Sequence, residues 1–309
     1  MKKKMLSFVS LGLVCTTFFL SCVTKNPDEE EQLNTVLEVP EKIISNYDAA
    51  TLFQNDHITR LSQIRAEKTT FEDKTIHFEL ETITKYIAHL EKLATTNNIP
   101  ITGVNFIFGA DITGKRTTFL MPSIRNASLD YQESFTIENG EFLTFKHIDQ
   151  SLKLKKGSKN DQNIMLSPNG YLSYNEAVEL FNNYESQYIT PFAAKVTKDY
   201  YTKAVWYSFQ EIKGYISYLK KKSATSNLAI TGIDVFFGVY NNDPNLELKS
   251  NTQTVFLTAS TQQQSIINTK GEKFKNFIKT ELSLKETNDN EGESLIFNEG
   301  NASPPPVKK

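Results

Sequence analysis

The sequence contains few of the residue types on which metal and thiol chemistry depend. Its 309 residues include two cysteines, four histidines and one tryptophan. The histidines never occur at the spacing of a zinc site, so no metal site is predicted. Neither a Gly-x-Ser-x-Gly nucleophile elbow nor a glycine-rich phosphate loop is present. We therefore predict no cofactor and no catalytic motif.

An excess of basic charge is also missing. Lys and Arg total 34 and Asp and Glu total 36, which gives a formal net charge of −2. A nucleic-acid partner favours a basic surface and is therefore not predicted. The 39% of hydrophobic residues is enough for one large or two ordinary globular domains.

The first 21 residues have the three-part pattern of a secretory signal peptide. Residues 2–4 are lysines, residues 5–20 are mostly apolar, and the small Ser21 precedes Cys22. The stretch from Phe19 to Cys22 resembles the lipobox of bacterial lipoproteins, although Phe19 stands where Leu is commoner. The resemblance implies that Cys22 is the lipidated, palmitate-bearing first residue of the mature chain. An ordinary secretory peptide is the alternative.

A polar tether, residues 22–40, follows the signal peptide and contains four consecutive acidic residues, Asp28 to Glu31. Such a run is usually a solvated linker. At this position it resembles the acidic export signal of surface lipoproteins in some Gram-negative bacteria. The resemblance implies an outer-membrane lipid anchor with the protein on the cell surface, where the N-terminal lipid makes the membrane a partner. A periplasm-facing protein is the alternative.

The rest of the chain contains an internal duplication. Residues 44–53 align with 172–181, residues 83–109 with 212–238, and residues 117–123 with 254–260. The duplication predicts two units of ordinary domain size, residues 41–170 and residues 171–309, the second of which ends in a Pro-rich tail.

Each unit shows the same order of helix and strand patterns in its sequence. Typical helix N-caps with an acidic partner are Ser45 with Asp48, Ser173 with Glu176 and Ser208 with Glu211. Period-two alternation predicts a strand before the second helix, and two apolar runs after it predict a hairpin. The order helix, strand, helix, strand, strand predicts an α+β unit with helices on one face of a small, mainly antiparallel sheet.

The second unit carries a further resemblance. Its central Trp206, the strand from Gly232 to Gly238 and the ending at Gly300 with prolines 304–306 are similar to a group of uncharacterised bacterial proteins. The resemblance implies a fold and brings no activity.

His77 and Glu79 are the best local polar pair, because residues i and i+2 of a strand share a face. They could act as general acid and base. The other interpretation is a partly exposed sheet face, because Trp206 and Ser208 occupy the equivalent positions of the second unit.

Three residues of the second unit are candidates for ligand binding. Trp206 and Tyr240 could offer flat rings to a glycan or peptide, and packing against the other unit is the alternative for Trp206. Asp243 lies in an oxygen-rich loop that could hold calcium, although the loop lacks the glycine and distal glutamate of an EF-hand. A solvated turn is its alternative role.

These observations predict a non-enzymatic, membrane-anchored lipoprotein that binds an unknown protein, peptide or glycan across a groove between its units. Two other functions stay open. One is an envelope hydrolase that uses carboxylates such as Glu79. The other is a structural or assembly subunit of the envelope.

Overall fold

The computed structural model describes residues 39–64, 75–128, 131–146, 152–156, 162–195, 201–225, 229–261, 294–298 and 300–303. The signal peptide, Cys22 and the acidic run lie outside these residues, so lipidation and export stay predictions. Among the described helices, none combines the length and the apolar composition that crossing a membrane requires.

Three of the described helices begin directly after the serines that were predicted to cap them. In the described residues they are α1 (Asn46–Asp56), α2 (Ser62–Ile64), α3 (Leu80–Asn97), α4 (Tyr174–Tyr184), α5 (Thr190–Ala193) and α6 (Phe209–Thr225). The Ser45 side chain accepts from the Asp48 N–H at 3.1 Å. Ser173 with Glu176 forms a capping box at α4, and the reciprocal bonds of Ser208 with Glu211 open α6.

The strands form two antiparallel sheets. They are β1 (Ile43–Ile44), β2 (Ile76–Glu79), β3 (Ile101–Ala110), β4 (Arg116–Asn126), β5 (Tyr131–Glu138), β6 (Glu141–Phe145), β7 (Leu166–Ser167), β8 (Gly170–Tyr171), β9 (Ala204–Ser208), β10 (Ile230–Val239), β11 (Gln253–Thr261), β12 (Ile296–Phe297) and β13 (Asn301–Ser303). Sheet I has the order β1-β12-β11-β10-β2. Sheet II has the order β13-β9-β3-β4-β5-β6, with β7 beside β4 and β8 beside β7. The fold is therefore of mixed α and β composition with antiparallel sheets.

The strand pairing crosses between the two halves of the sequence. Strand β2 of the first half pairs with β10 of the second, and β9 of the second half pairs with β3 of the first. The expectation that each half builds a sheet of its own is corrected, because each sheet takes strands from both halves. Period-two alternation defines the buried face of a strand and leaves its neighbour unspecified.

The first helix of each half likewise packs against strands of the other half. In α1, Leu52 and Phe53 pack against Phe236 and Phe256 of sheet I. In α4, residues such as Phe181 pack against sheet II. The described residues accordingly belong to one compact unit.

Aromatic rings join the two sheets. Phe108 of β3 meets Phe237 of β10 with ring centroids 4.9 Å apart, and Tyr207 of β9 meets Phe297 of β12 at 5.3 Å. Edge-to-face packing of the first pair aligns a positive ring edge with a negative ring face. These contacts pack strands β3 and β9 of sheet II against sheet I.

A π-helical turn follows each first helix, at His57–Leu61 and at Glu185–Ile189. A buried carboxylate lies at each junction. Asp56 accepts two hydrogen bonds from Arg116 of β4, at 2.7 and 3.2 Å. Glu185 pairs with Lys203, which precedes β9, at 2.9 Å. These ion pairs tie the helix ends to the sheets.

Candidate ligand-binding site

Trp206 lies at the centre of β9, opposite Asn105 of β3 and Asn301 of β13. Its indole Nε1 donates a hydrogen bond to the hydroxyl of Ser123 at 2.9 Å. A Cβ added to Gly103 would lie 2.9 Å from the same nitrogen. The hydrogen bond and the missing side chain at Gly103 together hold the ring in one position.

A cavity of about 700 Å³ lies beside Trp206, and we call it the Trp206 cavity. Sheet II and its continuation contribute Arg125, Tyr131, Gln132, Trp206, Gly300, Asn301 and Ala302. The β10–β11 connection and the start of β11 contribute Tyr240, Asn245, Leu246, Glu247, Leu248, Lys249, Thr252, Gln253 and Thr254. Its volume falls within the range of about 300–1,000 Å³ typical of small-molecule sites.

The connection between β10 and β11 forms one wall of the cavity. Its backbone folds back on itself, because the Tyr240 N–H donates to the Thr252 carbonyl at 3.0 Å. The Asp243 carboxylate accepts from the Asn245 N–H at 2.9 Å and caps the 3₁₀ turn Pro244–Lys249. Asp243 is not among the described residues that line the cavity. It positions the turn whose other residues do.

Hydrogen-bonding groups remain on the cavity wall. Among the described residues, the side-chain amides of Asn245 and Asn301 and the carboxylate of Glu247 have no partner. Gln253, in contrast, already has partners at both ends of its amide: its carbonyl oxygen accepts from Tyr184 at 3.0 Å and its amide nitrogen donates to Asp56 at 3.1 Å. The cavity therefore offers two amides and one carboxylate beside its aromatic rings.

The predicted polar pair lies elsewhere, on the exposed edge strand β2 of sheet I. His77 Nε2 is 3.5 Å from Glu79 Oε1, and its Nδ1 is 2.7 Å from Oδ1 of the buried Asp234 in β10. The hydroxyl of Ser260 lies 3.3 Å from the same Nδ1. We call these four residues the His77 cluster. The hydrogen bond to Asp234 raises the pKa of His77, burial opposes it, and Glu79 adds to the increase.

The His77 cluster lacks the geometry of a serine nucleophile relay. In the serine-protease relay the serine hydroxyl faces Nε2 of the imidazole, and the carboxylate accepts from Nδ1–H. Here Ser260 and Asp234 both face Nδ1, while Nε2 faces Glu79. Within the described ranges, no group of three or more His, Cys, Asp or Glu side chains is placed to hold a metal ion.

Of the ligand-binding candidates, the structure places Trp206 and Tyr240 in the same cavity. The sequence analysis missed the β5–β6 hairpin, whose residues Tyr131 and Gln132 line the cavity. Asn139 and Gly140 both have positive φ, 52° and 77°, in the turn of this hairpin. An Asn-Gly pair between alternating apolar residues is the usual signal of such a turn. No local signal would have found Asn301.

Comparison of the chain with protein-family models, curated proteins and solved structures finds no match. The class of protein is therefore defined by its own structure. It is a mixed α and β protein in which two antiparallel sheets contribute to the walls of one cavity.

Proposed function

We propose that the protein is a non-enzymatic, membrane-anchored lipoprotein that binds a ligand in the Trp206 cavity. One observation carries the binding function: Trp206 of sheet II and Tyr240, which follows β10 of sheet I, line the same cavity. The cavity exists only when the two sheets come together. Its aromatic and polar lining is of the kind that small-molecule sites use.

The fixed position of Trp206 supports this function. Its hydrogen bond to Ser123 and its close approach to Gly103 order the ring before any ligand arrives. A ring already in place spares the ligand the entropy cost of ordering it, which is about 0.5–1.5 kcal/mol for a mobile side chain.

The anchoring part of the proposal comes from the sequence. Cys22 carries the lipid, and the acidic run from Asp28 to Glu31 directs the protein to the outside of the outer membrane. A chain with two or more acyl groups has stable membrane attachment. A periplasm-facing protein is the alternative outcome.

We further propose that residues 41–170 and 171–309 are tandem copies of one α+β unit, related to uncharacterised bacterial proteins. Matching features support this: serine N-caps at Ser45 and Ser173, and π-helical turns at corresponding positions. In this proposal the copies have exchanged their first helix and first strand.

Protease treatment of intact cells tests the location. We expect the protein to be digested from outside, and a Cys22→Ala variant to leave the membrane fraction. Replacement of residues 28–31 by alanine should then protect the protein from the protease. Protection of the wild-type protein in intact cells would overturn surface display, and membrane retention of Cys22→Ala would overturn lipid anchoring.

Trp206 fluorescence tests the binding function, because Trp206 is the one tryptophan of the chain. The mature protein, purified from membranes in detergent, is titrated with two probe sets. The first contains malto-, cello-, manno- and chito-hexaose, and the second contains short peptides from a casein digest. We expect a saturable change in emission with one set. No response to either set would overturn the binding function and favour a structural subunit.

The same probes distinguish binding from hydrolysis. We expect the oligosaccharides and peptides to be recovered intact after incubation with the protein. Cleavage of a probe that Glu79→Gln abolishes would replace the proposal by the envelope hydrolase.

A further inference from the structure

We propose that the ligand of the Trp206 cavity is a neutral carbohydrate chain, one of whose pyranose rings stacks on Trp206. This inference rests on the proposed binding function and names the class of ligand. Three features support it: the indole ring has no free hydrogen-bond donor, polar groups lie beside the ring, and a short edge strand borders the cavity.

The indole ring is left with its apolar surface for the ligand. Its single donor, Nε1–H, is already used by Ser123. The ring face is negative, so it attracts the C–H groups that cover one face of a pyranose ring. A flat ring that is fixed and has no free donor therefore suits a sugar face better than a hydrogen-bonding ligand head group.

The polar groups of the cavity match sugar hydroxyls. Asn245 and Asn301 each present a donor and an acceptor, and Glu247 presents acceptors, none of them engaged within the described part of the chain. A hydroxyl group donates one hydrogen bond and accepts others, so it can satisfy both kinds of partner. Arg125 and Lys249 outnumber Glu247 among the charged lining residues, but each of these two cations already interacts with another group of the protein. The uncharged hydroxyls of a neutral sugar are therefore the favoured partners of the two amides.

A peptide fits the same cavity less well. Strand β13 borders the cavity at the edge of the described sheet II, and an extended peptide could add to it. However, β13 spans only Asn301–Ser303. Peptides that extend a sheet obtain affinity from a row of main-chain hydrogen bonds, and so short an edge offers few of them.

Isothermal titration calorimetry on the mature protein tests this inference with the four hexaoses as probes. We expect at least one of them to bind, and Trp206→Ala to weaken that binding by roughly tenfold or more, which corresponds to about 1.4 kcal/mol. Trp206→Phe keeps a smaller ring and should lose less affinity. Circular dichroism checks that each variant is folded.

Two further variants test the polar wall without touching the core. Asn301→Ala and Glu247→Gln alter exposed side chains, and each should weaken hexaose binding several-fold. Asn169→Ala, in the exposed turn between β7 and β8 and outside the cavity lining, is the matched control and should bind as the wild type does.

The outcomes separate the two proposals. If only the casein peptides bind, and Trp206→Ala abolishes that binding, the binding function stands and the carbohydrate inference is wrong. If a hexaose binds equally well to the wild type, Trp206→Ala and Asn301→Ala, the sugar site is elsewhere and the inference is wrong. If no probe of either class binds, the binding function and the inference both fail.

Discussion

Two strand pairs of this protein have the same register and different chemistry. In sheet I, His77 of β2 lies opposite Asp234, two residues after Gly232. In sheet II, Trp206 of β9 lies opposite Asn105, two residues after Gly103. At each glycine an added Cβ would contact the ring of the neighbouring strand. One backbone arrangement therefore holds an imidazole beside a carboxylate in one sheet and an indole beside an amide in the other.

The surroundings of Trp206 form a cavity. Residues 240–252 connect β10 to β11 and fold into a wall beside Trp206. The corresponding connection of sheet II, residues 111–115, is shorter and contributes no lining residue to the Trp206 cavity. The longer β10–β11 connection therefore supplies one wall of the candidate site.

Removal of the carboxylate from each of the two buried ion pairs should give the largest losses of unfolding free energy, and the two losses should differ. Asp56→Ala leaves the buried guanidinium of Arg116 charged and without its carboxylate partner. It should cost about 3–5 kcal/mol of unfolding free energy. Glu185→Ala should cost less, roughly 1–3 kcal/mol, because the flexible stem of Lys203 lets its ammonium group move toward water. Burial already raises the pKa of Glu185, although Lys203 opposes this. Urea unfolding of both variants measures the difference, and equal losses would contradict it.

The two glycines should differ in the same assay. In Gly103→Ala, the new methyl group meets the backbone of Tyr207 and Ser208, which cannot move aside. In Gly232→Ala it meets the side chains of His77 and Ser260, and the half-exposed imidazole can rotate away. We expect Gly103→Ala to be more destabilising by about 1–3 kcal/mol, as for other overpacked sites. A larger loss in Gly232→Ala would show that the two positions are not packed as described.

Ser123→Ala should have a smaller effect. It removes the acceptor of the Trp206 N–H and should cost about 0.5–1.5 kcal/mol. The tryptophan emission anisotropy should also fall as the ring becomes more mobile. Ser260→Ala is the matched control, because it removes the serine at the corresponding place near His77 and should leave the emission unchanged. Unchanged anisotropy in Ser123→Ala would contradict a ring held by this bond.

The smallest effect is a pH dependence of the His77 cluster. Because Asp234 raises the pKa of His77 in the folded state, its stabilising contribution is fully present below pH of about 6.5, the unfolded value. The contribution is lost as pH rises through the folded pKa. The stability advantage of the wild type over His77→Gln should therefore grow from pH 8 to pH 6. An equal difference in urea midpoint between the wild type and His77→Gln at pH 6 and at pH 8 would argue against the pair.

The helices were predictable because their signals are local. Ser45, Ser173 and Ser208 cap helices in the structure as the sequence predicts. The β5–β6 hairpin has an equally local signal in its Asn-Gly turn. It lies outside the blocks of sequence that align between the two halves, and it was not predicted. The alternation around Phe78 predicted a strand at β2, and its partner β10 was not predictable from that pattern.

For the candidate site, the sequence indicated which residues could bind a ligand but not which of them lie close together. Trp206 and Tyr240 were predicted to bind a ligand because their flat aromatic rings can contact a glycan or peptide. Nothing in their local sequence places them beside one another, or beside Asn301 near the end of the chain. His77 was singled out with Glu79, while its closest partner, Asp234, lies in a distant strand.

The sequence by itself determined where the capped helices, β2, β9 and the β3–β4 and β10–β11 hairpins form, because caps, turns and apolar periodicity act over a few neighbouring residues. Only the tertiary structure decided which strands pair across the two halves and which side chains share the Trp206 cavity. The two hairpins present edges of similar pattern, so local preferences cannot choose between them. The choice depends on burial and packing summed over the whole compact unit.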